Sequence, residues 1–214
     1  MIGDEKGNHV FQIYAIDIAK DKIASYIKSM FDVNSLSDSD PSPWYDYHSL
    51  KKGCVVPLET KRTQLMVEVF ECDHTIPTIG YGFTEIKHKL KEEYSKLTGK
   101  DIGKLRKEGV EITEPKAIKK FTYICDTSID VFNLNPSILE YPVIFIECTF
   151  ILDEELENAG KTKHIHWKEL KPYVENNPDK TFILFHFSQR YRNSEISEFF
   201  EKEKESGIDN IIWW

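Results

Sequence analysis

Lys180-Thr181-Phe182-Ile183-Leu184-Phe185-His186-Phe187-Ser188-Gln189-Arg190-Tyr191-Arg192 is an apolar run that ends in a histidine and then turns polar. A short continuous apolar run bounded by polar residues suits a strand buried on both faces, and the pattern predicts a strand over 181–185. A strand leaving a core carries its last side chain to the rim in a fixed orientation, so His186 is presented there. Two earlier stretches repeat the design. Met66 to Phe70 reads as an apolar strand and leads through Glu71 and Cys72 into Asp73 and His74, and Phe121 to Ile124 leads into Cys125 and Asp126. Three strand ends therefore offer two imidazoles and one carboxylate.

Around these ends strands and helices alternate. Helical spacing is expected at Ser128 to Phe132, Asp153 to Ala159, Trp167 to Val174 and Ser194 to Lys204, with strands at Val143 to Ile146 and Asn210 to Trp213. This rhythm implies a layered α/β architecture with helices outside. Upstream, Val10 to Ala15 reads as a strand and Asp17 to Phe31 as an amphipathic helix carrying Ile18, Ile23, Ile27 and Met30. Cys54 to Leu58, Gln64 to Cys72 and Gly80 to Ile86 read as three more strands, with Thr60 to Arg62 as a turn and Asn34 to Ser42 as a Ser/Asp/Pro loop. Lys87 to Gly109 is rich in lysine and has helical propensity, so residues 84–113 are expected to form a positively charged helical insertion.

At 214 residues with 40% hydrophobic content, the chain can bury one good-sized core, and a single domain over 1–214 is the expectation. No apolar run is long enough for a membrane span, and no basic stretch followed by a hydrophobic one opens the sequence. Cys54, Cys72, Cys125 and Cys148 lie far apart with no Cys-x-x-Cys, which fits reduced thiols and a cytoplasmic or similarly reducing location. The formal charge of −8 excludes a surface that grips nucleic acid all over and leaves room for a local basic patch.

Several polar residues carry two readings. Asp126, followed by Thr127 and Ser128, suits a helix N-cap and equally a carboxylate shared by two divalent cations. His74 suits a rim histidine or a metal ligand. His164 and His166 occupy a helix start, where an imidazole is a plain surface residue or can move a proton or meet a phosphate. Glu147 ends an apolar strand, and a carboxylate there is costly unless paired, with His164 or His166 as the nearest partner. Ser188, Arg190 and Tyr191 suit a polar turn or a rim that holds an anion.

Taken in order, Asp73-His74-Thr-Ile-Pro-Thr-Ile-Gly80-Tyr81-Gly82, Asp126-Thr127, Glu147-Cys-Thr149-Phe150, His164 and His186-Phe-Ser188-Gln-Arg190-Tyr191 resemble the later motifs of the tRNase Z family, zinc-dependent endoribonucleases of the metallo-β-lactamase superfamily. The resemblance implies part of an αββα sandwich and hydrolysis of precursor tRNA at its 3′ end. It implies metal ligands at His74, Asp126 and His186 for a site that holds two zinc ions when complete, and proton transfer by Glu147 and His164. Ser188, Arg190, Tyr191 and His166 fall at the substrate rim. The family also carries an upstream His-x-His-x-Asp-His cluster that supplies most ligands. This sequence has none, and Cys125 stands where the family usually has glycine. The expectation is therefore the later part of such a domain, active when completed by an N-terminal portion, with a homodimer or a complementing N-terminal half as protein partner. Two alternatives stay open: a non-catalytic fragment or subunit that binds RNA or a partner supplying the missing ligands, and a hydrolase of the same fold acting on a small phosphodiester or thioester.

Overall fold

The computed structural model describes residues 2–3, 9–35, 45–59 and 63–214. The turn expected at Thr60 to Arg62 and most of the loop expected at Asn34 to Ser42 lie outside the described residues.

The strands form two sheets. A three-stranded sheet has the order β1 (Ile2–Gly3), β2 (His9–Ile16), β3 (Tyr45–Leu50), and helix α1 (Lys20–Ser35) lies between β2 and β3 in sequence. β2 and β3 run parallel. The seven-stranded sheet contains β4 (Val55–Glu59), β5 (Gln64–Cys72), β6 (Thr78–Leu90), β7 (Thr113–Ile124), β8 (Val143–Glu147), β9 (Thr181–Phe185) and β10 (Ile211–Trp213), side by side in the reverse of that order. β4 to β7 pair antiparallel, and β7 to β10 pair parallel. The parallel half needs crossovers, which α3 (Val131–Leu134), α4 (Leu156–Thr162), α5 (Trp167–Glu175) and α6 (Asn193–Glu205) provide.

Alternation along the parallel strands decides what is buried. Ile124, Ile144, Ile146, Phe182 and Leu184 are fully buried and join Trp167, Leu170, Val174 and Phe200 from the helices in one core. The other face of the sheet carries Tyr81, Phe83, Phe121, Tyr123, Phe145 and Phe185, whose rings form a run of stacked, tilted and edge contacts. The small sheet lies against the β4–β6 end of that face, where Tyr14, Leu50, Val56, Leu58, Val67, Tyr81 and Phe83 line an apolar cleft of about 190 Å³. No helix among the described residues is long and apolar enough to cross a membrane.

The helical insertion expected over 84–113 is a hairpin for much of its length. β6 continues to Leu90, which pairs with Thr113 at the start of β7, and only α2 (Gly99–Lys107) with a 3-10 turn at Glu92–Tyr94 is helical. Lysine propensity is outweighed by cross-strand pairing, in which Glu85 of β6 takes Lys120 of β7 at 3.1 Å, with Lys87 of its own strand at 3.2 Å. β3 is a strand that the sequence pattern did not single out, since Tyr45-Asp-Tyr-His-Ser-Leu50 is largely polar.

Candidate metal and proton-transfer site

β5 runs in the same direction as β7, β8 and β9, because two antiparallel steps separate it from β7. The C-terminal ends of these four strands therefore meet at one edge of the sheet, where polar residues can gather without breaking the ladder. β5 delivers Asp73 and His74, β7 delivers Cys125 and Asp126, β8 ends on Glu147, and β9 delivers His186. Asp126 (φ 52°), Lys163 (φ 56°) and His186 (φ 62°) take left-handed backbone conformations, and all three belong to this edge. Each costs on the order of 1 kcal/mol for an L-residue, an expense of the kind that clusters at functional sites.

Glu147 organises the centre. It is fully buried, and its carboxylate accepts four hydrogen bonds: from Thr127 N–H (2.7 Å) and His164 Nδ1–H (2.9 Å) at Oε1, and from Thr149 Oγ1–H (2.5 Å) and Ile165 N–H (3.1 Å) at Oε2. Four donors compensate the lost hydration of a buried charge. The hydrogen bond that His164 donates to Glu147 is also the main cause that raises the His164 pKa above its ordinary value, with burial opposing it.

The three histidines at this edge are each held by Nδ1. His74 Nδ1–H donates to the Lys163 carbonyl at 3.1 Å, and His164 Nδ1–H to Glu147. Thr149 gives its proton to Glu147, so its oxygen accepts from His186 Nδ1–H at 3.1 Å. Nε2 is left as the working atom of each ring, the arrangement by which an outer partner orients a metal-binding histidine. The rings lie together, with centroids 4.8 Å apart for His74 and His164 and 5.5 Å for His164 and His186. Lys163 adds an ion pair from Nζ to Asp73 Oδ1 at 2.6 Å, and Ser128 donates to Asp73 Oδ2 at 2.7 Å.

His186 Nε2 stands 3.2 Å from Asp126 Oδ1. With Nδ1 already donating, a neutral His186 turns a lone pair toward a carboxylate oxygen, and two acceptors at that distance require a proton or a cation between them. Ligand atoms that share a tetrahedral zinc at about 2.0–2.1 Å are about 3.3 Å apart, so the separation fits a shared ion. The ligand atoms of Asp126, Glu147, His164 and His186 all lie within 4.8 Å of one another. Glu147, whose oxygens are fully engaged, acts there as the orienting group. The Cys125 thiol lies 3.5 Å from Asp126 Oδ1 and is pushed up to about 12, chiefly by burial and then by the Asp126 charge, which makes it a neutral donor and not a thiolate ligand.

Of the residues singled out in the sequence, Asp126, Glu147, His164 and His186 come together, and His74 stands against His164. Ser188 and Tyr191 lie beside His186 along one cleft. Tyr191 donates its hydroxyl to Glu155, and Arg190 is exposed with Glu155 at 3.7 Å. His166 corrects its expectation as a substrate contact. It is fully buried as the N-cap of α5, its Nδ1 accepts from Lys168 N–H at 3.0 Å, and its Nε2–H donates to the Leu152 carbonyl at 2.8 Å, so neither nitrogen can meet a ligand. Thr149 and Lys163 were not assigned roles from sequence. Thr149 follows Glu147 by two and so shares its side of the chain, a weak signal, whereas nothing in the sequence marks the left-handed turn at Lys163.

No protein-family model matches the chain. It is 32% identical over 179 residues to tRNase Z TRZ1 of Arabidopsis thaliana, an alignment that covers 82% of this chain and 62% of that protein. It is 34% identical over 142 residues to the chloroplastic tRNase Z TRZ2 of the same plant, covering 64% of this chain and 40% of that one. The chain is a relative of tRNase Z. It spans 62% and 40% of the length of these two tRNase Z proteins. Among solved structures, the metallo-β-lactamase fold protein YhfI from Bacillus subtilis superposes with a TM-score of 0.50 at 11% identity, over 98% of this chain and 64% of that one. The mixed sheet with its helical layer is thus shared with the metallo-β-lactamase fold. The side chains of Asp126, Glu147, His164 and His186 are a group of imidazole and carboxylate donors that could hold a metal ion. Two imidazoles and one carboxylate still fall short of two complete zinc spheres, which generally take three protein ligands each in catalytic sites.

Proposed function

We propose that this chain forms the greater part of a metallo-β-lactamase-type domain over 1–214, working as a zinc-dependent phosphodiester hydrolase that cuts precursor tRNA at its 3′ end in a reducing compartment such as the cytoplasm. The observation that carries the reading is the convergence of His164 and His186 with Asp126 and Glu147, and of His74 against His164, at the edge where β5, β7, β8 and β9 end. In this reading His74, Asp126 and His186 hold the metal through Nε2 and carboxylate oxygen. A divalent cation bound there supplies activated water at neutral pH and neutralises charge growing on the phosphate.

The chain's own residues do the rest. Glu147 keeps a proton on His164 Nδ1 and favours the doubly protonated ring, so His164 Nε2–H is ready to donate to a departing oxygen. Thr149 relays the same buried charge to His186 and fixes which nitrogen faces Asp126. Ser188, Tyr191 and Arg190 border the place where the substrate strand would lie, and the lysines of α2 and the adjoining hairpin offer phosphate contacts.

A second reading is favoured by one observation, the exposed apolar side of the β7–β10 strands, where Phe121, Tyr123 and Ile212 are open to solvent. There the chain is a subunit that pairs with a polypeptide supplying the remaining ligands, and it gains activity only in that complex.

Zinc titration of the purified chain by calorimetry tests the metal site. Wild type is expected to bind zinc, and His186→Ala to weaken binding by at least about tenfold. Equal affinity in the two proteins removes the assignment. Cleavage of precursor tRNA compared with bis-nitrophenyl phosphate then separates an RNA processing role from a hydrolase of small phosphodiesters.

A further inference from the structure

A cleft of about 500 Å³ opens at His186, with Ser188, Gln189, Asn193, Trp213 and Trp214 among its lining residues. Its volume is that of a small-molecule site. In a chain of net charge −8, no acidic residue among the described residues lines it. A neighbouring cleft is lined by Glu155, Glu195 and Glu198 with Arg190 and Lys202, so the lack of carboxylates is a property of this cleft and not of the region.

The two tryptophans behave differently. Trp213 is committed to the core side: its ring stacks on Phe200 with centroids 5.5 Å apart, Lys204 Nζ lies 4.5 Å over it, and its Nε1–H donates to Ser197 Oγ at 3.4 Å. Trp214 is 91% exposed, yet its backbone N–H donates to the Leu184 carbonyl at 3.0 Å and holds it against β9, two residues before His186. Among the described residues nothing covers the Trp214 ring, a large apolar surface that borders a polar cleft from a backbone tied to β9.

We propose that this cleft is a nucleotide subsite, in which a base of single-stranded RNA stacks on Trp214, the side-chain amides of Gln189 and Asn193 meet the base edge, and the sugar-phosphate leads toward His186 and Asp126. Stacking on an aromatic ring is the common means of holding an unpaired base, and amide groups pair with base edges without adding charge. The position of the phosphate rests on the hydrolase reading given above, whereas the stacking of the base does not.

The test is anisotropy of a fluorescein-labelled single-stranded RNA tetranucleotide titrated with the full chain in a chelating buffer, so that metal binding plays no part. Wild type is expected to bind with quenching of tryptophan emission, Trp214→Ala to bind roughly 5- to 150-fold more weakly, and Trp214→Phe to restore most of the loss. Circular dichroism of each variant checks that the fold is retained, which an exposed residue at the end of β10 permits. Equal binding by wild type and Trp214→Ala overturns the subsite, as does a wild type that binds no RNA. Neither result touches the zinc titration of His186→Ala, so the subsite and the metal site fail separately.

Discussion

His164 is held at Nδ1 by a carboxylate that has no exposure, while the rest of its ring reaches the site edge. The hydrogen bond to Glu147 favours the protonated ring and raises the pKa above the ordinary value of 6.5, and partial burial works against it. A histidine whose folded pKa lies above its unfolded one contributes stability that is complete below the unfolded value and fades as pH rises through the folded value. The metal-free chain should therefore show its largest stability difference between wild type and His164→Gln below about pH 6.5, shrinking through neutrality into the alkaline range. Urea unfolding at a series of pH values in chelator measures it. A difference that grows toward alkaline pH would mean that Glu147 does not hold a proton on this ring.

The elements around β6 are set by a close approach that only glycine allows. Gly82 lies opposite Glu68 in the β5–β6 register, and a Cβ added to it would sit 2.5 Å from Tyr141 Oη and 2.8 Å from Phe70 Cε2. Tyr141 is fixed there by donating to Glu68 at 3.0 Å and lies edge-on to Phe70, so neither ring has a free direction of retreat. Gly82→Ala is expected to cost about 1–3 kcal/mol by overpacking, and Gly103→Ala inside α2, where nothing lies within 4 Å, to stabilise by about 0.5–1 kcal/mol. Urea midpoints of the two variants should move in opposite directions. The same elements show what sequence reading can reach. β5 and β9 follow the apolar runs at Gln64 and Thr181 because a buried strand writes its own boundaries in composition. The far half of the β6–β7 hairpin does not, because Lys87, His88 and Lys89 are strand residues only through their partners on β7. Likewise Asp126, Glu147 and His186 could be found as polar residues closing apolar strands, with His164 or His166 as the partner of Glu147, and the family resemblance chose His164 for proton transfer. The difference between His164 and His166 depends on which ring turns inward to cap α5, and the openness of Trp214 depends on β10 pairing with β9. Both are facts of tertiary register with no local pattern to announce them.

At the scale of the whole molecule, the two faces of the seven-stranded sheet are unequal. On the helical side Ile124, Ile144, Ile146, Phe182 and Leu184 have no exposure, while on the other side Phe121 is 37%, Tyr123 46% and Ile212 51% exposed. Parallel strands are ordinarily covered on both faces, and contiguous exposed apolar surface marks a place where something else packs. The stacked pairs Phe83–Phe121 at 4.6 Å and Tyr123–Phe185 at 5.1 Å partly shield one another, which lowers the cost of leaving the face open. For the isolated chain this predicts an asymmetry. Phe182→Ala should cost about 3–5 kcal/mol through lost burial and a cavity, and Tyr123→Ala less than about 1 kcal/mol, both by urea unfolding at micromolar protein. A Tyr123→Ala cost as large as that of Phe182→Ala would show the face covered in solution. If the cover were a second copy of the chain, the midpoint would also rise with protein concentration, because association stabilises the folded state by mass action. If the midpoint did not depend on concentration, part of the chain itself would have to lie over Tyr123, and the open face described for β7 to β10 would be wrong.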